Sequence, residues 1–344
     1  MPPNTTDAAA MREPIHVFFN ANNAFAPHLS VVIVSILTAS KSDFVFHVLT
    51  SDFKEDSRQN VLSLRATHPF EIEFIHVDKT LFANVDRRNL KYLTMEAYYR
   101  LLITDLCPRL DRAIYLDCDL VVNRDLRELW DIDIGGNFCA GVSDPLAYAP
   151  GMVEKIFDRD FYFNSGVLLL NLAEIRRHFS LGDFLRIKRE NLRWFQYNDQ
   201  DILNKAFGSK VVELPAEWNV TDGAAPAWVA GQIARAGSRE QKNNIKHHIE
   251  VPAIMHYTRA HKPWKKPYGI DSQFFSWLYF RNLRQTPYAD MENDMRENYK
   301  YIPSLFNYWW RRPLFFLKAR FWRKMYYKHL SDVSGMNWQG SPAP

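Results

Sequence analysis

Cysteine is scarce in this chain: only Cys107, Cys118 and Cys139 occur among 344 residues. An odd number without metal-ligand spacing, in or beside apolar runs, favours a reducing compartment and no disulfide framework. Long apolar runs are lacking as well. The stretch Leu29–Leu37 falls well short of the roughly 20 residues that a membrane-spanning helix requires. Residues 1–14 have neither the basic start nor the apolar centre of a signal peptide and read as a flexible tail. A net charge of +4 is too small to imply a nucleic-acid partner. There is no internal repeat and no low-complexity tract. What remains is a globular composition, 47% hydrophobic and 24% charged, on a chain long enough to bury a full core.

One stretch organises the rest: Arg112-Ala-Ile-Tyr-Leu-Asp-Cys-Asp-Leu-Val-Val-Asn123. Its short apolar run, Ala113–Leu116, is dense enough for a buried strand. Asp117 and Asp119 then end it. A central strand has no solvent for carboxylates, so such acids belong at its carboxyl end, where α/β sheets bind ligands. Two carboxylates so spaced make a hard-oxygen half-site for Mg²⁺ or Mn²⁺, of the kind completed by substrate phosphates. An ordinary acidic turn would show the same pattern.

In chain order, strands are expected at Ile15–Phe19, Phe44–Leu49, Phe70–Val77 and the stretch above. Helices are expected from Pro27 to about Ser40, at Glu55–Thr67 and at Thr94–Leu106, where Pro108 follows. This alternation predicts crossovers and a mostly parallel sheet, a nucleotide-binding α/β half. Further strands are expected at Asn137–Val142, within Phe161–Leu172, and at Val211–Leu214 and Ala253–His256. Glu174–Asn191 reads as one helix, and Asn198–Phe207 as a short one with an aspartate suited to its cap. Ala216–Pro252 is polar and reads as a substrate-facing loop region. From Tyr299 to Leu330, eight basic residues and twelve aromatics occur with no acid. Beyond Pro313 they sort onto a basic and an apolar helix face, the pattern of an interfacial membrane element. A helix packed on the preceding domain is the alternative.

Four polar clusters thus stand at strand ends or helix starts: Asp117 with Asp119, Asn164 with Ser165, Asp199 with Gln200, and His256 with Lys262. Each also has a plain structural role available: a strand bulge, a helix cap, a core histidine, a surface charge. Together they suit one task. Two carboxylates and an imidazole can hold a divalent cation, a lysine can face phosphates, and an amide with a carboxylate can recognise sugar hydroxyls.

The order Tyr98-Tyr-Arg-Leu101, Tyr115-Leu-Asp-Cys-Asp-Leu-Val-Val122, Leu129-Trp130-Asp131, Tyr162-Phe-Asn-Ser-Gly-Val-Leu-Leu169, Asp199-Gln-Asp-Ile-Leu-Asn204, His256-Tyr257 and Lys262-Pro-Trp264 resembles glycosyltransferase family 8. The family includes lipopolysaccharide galactosyl- and glucosyltransferases and glycogenin. The resemblance covers about Ile15 to Trp264. It implies an α/β GT-A (Rossmann-like) fold, a UDP-hexose donor, Mn²⁺ or Mg²⁺, and transfer with retention to a glycan or glycolipid acceptor. Position by position, it implies Asp117, Asp119 and His256 as metal ligands, and Asn164 with Ser165 and Arg100 beside the donor sugar. Asp199 and Gln200 would flank the anomeric carbon, Lys262 would meet the diphosphate, and Asp144 would lie on the acceptor side. Two positions depart from the family. Asn22 and Asn23 stand where acidic residues usually read uracil, although the Asn22 carbonyl can accept the uracil N3–H. His256-Tyr257-Thr258-Arg259 lacks the family's glycine, and Arg259 offers a charged contact to phosphate instead.

The expected organisation is a tail at 1–14, a catalytic domain at 15–283 and a basic aromatic, membrane-associating region at 284–344. The expected location is cytoplasmic, on the inner face of a membrane with anionic lipid. Three rival functions fit parts of this pattern. A nucleotidylyltransferase would need a glycine-rich phosphate loop after the first strand, which is absent. A non-catalytic carbohydrate-binding protein would not need a metal pair and a diphosphate lysine together. A self-glucosylating initiator resembling glycogenin is the nearest rival, and the basic aromatic tail argues against it.

Overall fold

The computed structural model describes residues 13–85, 95–144, 152–157, 161–221, 252–258, 262–265 and 276–300. The tail from 301 onward, the loop at 222–251 and Arg259 lie outside the described residues. The first half alternates as expected. Strand β1 (Ile15–Asn20) leads to α1 (Ala26–Ala39), β2 (Phe44–Thr50), α2 (Glu55–Ser63) and β3 (Glu71–His76). A 3-10 helix (Met95–Leu102) and the short α3 (Ile103–Leu106) precede β4 (Arg112–Leu116). Then follow β5 (Leu120–Val122), α4 (Leu126–Trp130), β6 (Cys139–Ser143), α5 (Met152–Phe157) and β7 (Phe163–Asn171). Next come α6 (Leu172–His178), α7 (Leu181–Asn191), α8 (Asn198–Phe207), β8 (Val211–Glu213), β9 (Val220–Thr221) and β10 (Ile254–His256). Helices α9 (Ser276–Leu283) and α10 (Met291–Lys300) close the described chain.

The main sheet has seven strands in the order β3-β2-β1-β4-β7-β6-β8. Strands β1 to β4 are mutually parallel, whereas β7 runs antiparallel to both β4 and β6. Strand order reverses at β1, with β2 on one side and β4 on the other, so a crevice opens between the carboxyl ends of β1 and β4. A second sheet has the order β5-β10-β9, with β5 following β4 directly in the chain.

Helix α1 shows why the apolar run at Leu29–Leu37 needs no membrane. It is buried from Ala26 to Leu37, between the main sheet on one side and β5 with α9 on the other. A helix enclosed all round is apolar all round. Its Ser35 hydroxyl accepts the Val122 N–H at 2.9 Å, which joins the two sheets. Alternate residues of the sheet fill two cores. Val17, Phe19, Phe46 and Val48 face α1, and Phe18, Leu49, Tyr115 and Leu168 face the 3-10 helix and α6 to α8. Each such large side chain stabilises the fold by about 1.5–3 kcal/mol.

Two expected helices differ in detail. The segment at 174–191 is broken at Phe179-Ser180, because Ser180 and Asp183 form a reciprocal capping box that starts α7 afresh. The segment leading to Leu106 is mostly 3-10 rather than α-helical. Helix α10 continues the packed domain past residue 284, since Met295 and Tyr288 join the core formed by α1, β5 and α9. Among the described residues, no helix is long and apolar enough to cross a membrane.

Candidate active site

The strand ends deliver the aspartates. Leu116 pairs with Val167 across β4 and β7, and the Asp117 N–H donates to the Gly166 carbonyl at 2.9 Å. The chain then turns at Asp117-Cys118-Asp119 into β5, which pairs antiparallel with β10 so that His256 lies opposite Leu120. This register sets His256 Nε2 3.0 Å from Asp119 Oδ1 and 3.7 Å from Asp117 Oδ2. Ligand atoms of the three side chains all lie within 4.8 Å of one another. Gly166 makes the approach possible. A Cβ there would fall 2.3 Å from His256 Cε1 and 2.7 Å from Asp117 Oδ2. The donor set, two carboxylates and one imidazole converging past a glycine, fits a divalent cation.

His256 is oriented from behind by Asn219, whose Oδ1 lies 2.9 Å from Nδ1. Asn219 in turn ends a 3-10 turn (Ala216–Asn219) that the Arg124–Glu217 ion pair at 2.9 Å anchors to the end of β5. Lys262 forms an ion pair with Asp119 and donates to the Tyr257 carbonyl. The turn carrying Lys262 is held by Trp264, which stacks on His28 of α1 at 3.7 Å. His28 also shares a 2.6 Å hydrogen bond with the Tyr279 hydroxyl of α9.

A second group faces the first. Asp199 and Gln200 lie in the first turn of α8 and are buried against β7. The turn is set by Asn198, at φ +48°, whose side-chain carbonyl accepts from the Tyr98 hydroxyl at 2.9 Å and from Lys188 Nζ at 3.3 Å. Asp201, rather than Asp199, satisfies the chain entering the helix: it accepts the N–H groups of Gln196 and Tyr197, each at 2.6 Å. Asp199 is therefore free of capping and turns to Ser165, whose hydroxyl donates to Oδ2 at 3.3 Å. Gln200 Oε1 accepts the Ser165 N–H at 3.0 Å, and its amide donates to Asp144 at 3.3 Å. Asn164 donates to the same Asp144 oxygen at 3.1 Å and accepts from Asn219 at 2.9 Å. Asn204 seals α8 to β7, accepting from the Phe163 N–H and donating to its carbonyl, both at 2.9 Å.

Arg100 links the two groups. Its guanidinium donates to Asp117 Oδ1 at 2.8 Å and lies 3.1 Å from Asp199 Oδ2, with Cζ 4.2 Å from the centre of the Tyr115 ring. The Tyr115 hydroxyl also donates to Asp117, at 2.9 Å. Burial alone would raise the Asp119 carboxyl, but Lys262 and His256 hold it below the usual range. Burial lowers the His256 pKa, yet Asp119 outweighs it and the net shift is upward. For Asp199, burial dominates; the pull of Arg100 only partly offsets it, and the carboxyl is pushed up to about 6.

A family model described as glycosyl transferase family 8 matches residues 16–267. The chain belongs to glycosyl transferase family 8. Among its relatives, General stress protein A of Bacillus subtilis (strain 168) is 27% identical over 279 residues, covering 77% of this chain and 93% of that protein. A lipopolysaccharide 1,2-glucosyltransferase of Escherichia coli is 28% identical over 311 residues, covering 85% and 86% respectively. The solved galactosyltransferase LgtC, in complex with donor and acceptor sugar analogs, superposes with a TM-score of 0.69 at 26% identity, covering 79% of this chain and 96% of that one. The fold is GT-A, and the protein is a glycosyltransferase.

Of the residues singled out in the sequence, Asp117, Asp119, His256 and Lys262 gather in one cluster, and Asn164, Ser165, Asp199, Gln200 and Asp144 in a second. Asn22 stands at the end of β1 with its side-chain carbonyl buried and unpartnered among the described residues. Sequence reading missed Asn219, Tyr115 and the Tyr98–Lys188–Asn198 set. Asn219 was hidden in a segment read as loop, and Tyr115 looked like core.

Proposed function

We propose that this glycosyltransferase moves a hexose, galactose or glucose, from a UDP-sugar to a glycan acceptor with retention of anomeric configuration. The acceptor proposed is lipid-linked, of the lipopolysaccharide-core kind, in keeping with the names of the relatives. The observation that carries the reading is the rim itself: a metal-type cluster and a buried amide–carboxylate cluster face each other, bridged by Arg100. Mn²⁺ or Mg²⁺ held by Asp117, Asp119 and His256 would neutralise charge on the departing diphosphate. Lys262, with Arg259 nearby in sequence, adds positive charge to the same phosphates. The unpartnered Asn22 carbonyl at the crevice offers an acceptor for uracil N3–H.

Asn164 and Arg100 would hold the donor sugar between the clusters, with Asp144 towards the acceptor. The bond from the anomeric carbon to the diphosphate oxygen breaks, and its electron pair leaves with UDP. The acceptor hydroxyl oxygen bonds to the anomeric carbon from the same face, and its proton passes to the departing phosphate. Asp199 is engaged through Oδ2 by both Arg100 and Ser165, which suits stabilising positive charge on the sugar better than forming a covalent bond to it. The Gln200 amide, tied to Ser165 and Asp144, positions the sugar beside it.

The protein is proposed to act in the cytoplasm, held by its basic aromatic tail at the inner, anionic face of the membrane. A panel of UDP-sugars with Mn²⁺, scored for UDP release with and without a lipid-linked glycan, tests the whole reading. One UDP-hexose should dominate, and release should rise with acceptor. Equal turnover of non-uridine donors, or release indifferent to every glycan offered, would overturn it.

A further inference from the structure

The face of the main sheet turned away from α1 carries a second set of ligand-type side chains. His16 of β1, His47 of β2 and Glu73 of β3 project from this face in neighbouring strands, in the register Phe18↔His47↔Glu73. Cys107, at the end of α3, packs against the same core. Ligand atoms of His47, Glu73 and Cys107 lie within 4.8 Å of one another. His47 is buried and locked in orientation: Phe18 stacks on it at 4.2 Å, His16 Nδ1 meets its Nε2 at 2.9 Å, and its Nδ1 meets Glu73. None of these residues contributes to the rim at the carboxyl end of β4.

We propose that His47, Glu73 and Cys107 form a binding site for a zinc-class divalent cation, with His16 fixing the His47 ring from outside the coordination sphere. The donor set decides the class of metal. One thiolate, one imidazole and one carboxylate suit Zn²⁺, or Co²⁺ in its place, and suit Mn²⁺ and Mg²⁺ poorly. Roles at His47 follow from its partners. Nδ1, which faces Glu73, gives its lone pair to the metal, and Nε2–H donates to His16 Nδ1, the arrangement that fixes the tautomer of a metal-binding imidazole. Thiolate coordination displaces the Cys107 proton to solvent. Glu73, with 53% of its side chain exposed, opens the site to an entering ion. A cation there ties β2 and β3 to α3, the helix that continues directly from the segment carrying Arg100, and acts as a brace rather than in group transfer.

Cobalt titration of the full chain after chelator stripping tests this. Thiolate coordination gives a near-ultraviolet charge-transfer band, expected to saturate at about one equivalent and to collapse when Zn²⁺ is added. Cys107→Ser should abolish the band, whereas Asp119→Asn and Cys118→Ser should keep it. His16→Ala should keep the band but weaken affinity about 10- to 100-fold. Glu73→Gln, an exposed substitution that leaves the core intact, should weaken it by a similar factor. Zn²⁺ should raise the thermal midpoint of the parent and not of Cys107→Ser. No band, a band that survives Cys107→Ser, or an affinity unchanged in Glu73→Gln would overturn the proposal.

Discussion

Asp119 and Asp199 are aspartates on one rim, yet their surroundings drive them in opposite directions. Among the described residues, Asp119 has two cationic partners, Lys262 and His256, and stays ionised below the ordinary range. Among the described residues, Asp199 has only Arg100 as a cationic partner, shared with Asp117, and burial carries its carboxyl up to about 6. Environment, not residue type, divides the labour. The carboxylate rich in positive neighbours can trade one of them for a metal ion. The carboxylate short of them holds negative charge at a cost, which positive charge developing on a sugar would relieve.

The difference has a sign in stability. A carboxyl whose folded pKa exceeds its unfolded value contributes stability that is complete below the unfolded value and is lost as pH rises through the folded one. For Asp199 the window runs from 3.8 to about 6, worth roughly 3 kcal/mol by about 1.4 kcal/mol per unit. Asp119 has the opposite sign: its contribution is present above the unfolded value and is lost as pH falls through the folded one.

The largest expected effect comes from breaking the Asp119 side. Asp119→Asn should lower turnover by about 10³-fold or more, the scale of losing a principal charge-stabilising group. Chelator should reduce the parent to a similar level. Turnover measured across a Mn²⁺ series, with circular dichroism to confirm folding, checks this; a parent indifferent to chelation would remove the metal from the reading.

On the other side, Asp199→Asn should lower kcat by about 10²-fold while UDP affinity changes little, if the residue acts on the sugar as proposed. The same variant should be at least as stable as the parent at pH 7, and the gap should close by pH 4, below which the Asp199 cost is absent. Denaturation at both pH values, with kcat and UDP titration, reads both halves. A loss of UDP affinity in proportion to kcat would relocate the residue.

A finer test acts through a neighbour. Asn219 holds His256 Nδ1 and also donates to Asn164. Asn219→Ala should raise the Mn²⁺ concentration needed for half-activity about 10- to 100-fold, and most of kcat should return at saturating metal. A variant whose kcat stays low at any Mn²⁺ concentration would mean that the Asn164 contact matters more than the His256 one.

Asp117 and Asp119 were legible in the sequence because a buried strand cannot tolerate them except at its end. Their partner His256 had a strand beside it but no reason, within the sequence, to lie opposite Leu120; donor chemistry and family resemblance joined them. The reversal of β7 was not legible, since an apolar run such as Val167–Leu170 carries no direction. Asn219 was lost because β9, the two-residue strand that follows it, falls below any periodicity. Asp199 looked like a helix cap until Asp201 was seen taking the N–H groups of Gln196 and Tyr197. The sheet and its rim come from pattern; the pairing of groups across the rim comes from tertiary register.

The smallest expected effect on chemistry concerns the segment beyond Lys300, where seven basic residues up to Leu330 lie among eleven aromatics. The contrast is now between a packed catalytic part, closed by α9 and α10 on the core around Val31 and Met255, and a segment whose composition favours an anionic surface. Attraction to such a surface is worth about 1 kcal/mol per basic residue close to it, and the aromatic face adds apolar burial at the acyl boundary. Neither contribution touches bond breaking. A chain ending at Lys300 should therefore keep kcat on a soluble acceptor within about 3-fold, since about 0.6 kcal/mol is all that such a change represents. It should lose co-sedimentation with anionic vesicles and most activity on lipid-linked acceptor, because the site is no longer brought to the surface where that acceptor is concentrated. Vesicle binding by the intact chain should weaken as salt rises, as exposed charges are screened within about 10 Å at 0.1 M. Binding that ignores salt would assign the tail's affinity to its aromatic face alone. A truncated chain that unfolds would assign the tail to the core, and the surface reading would fall with it.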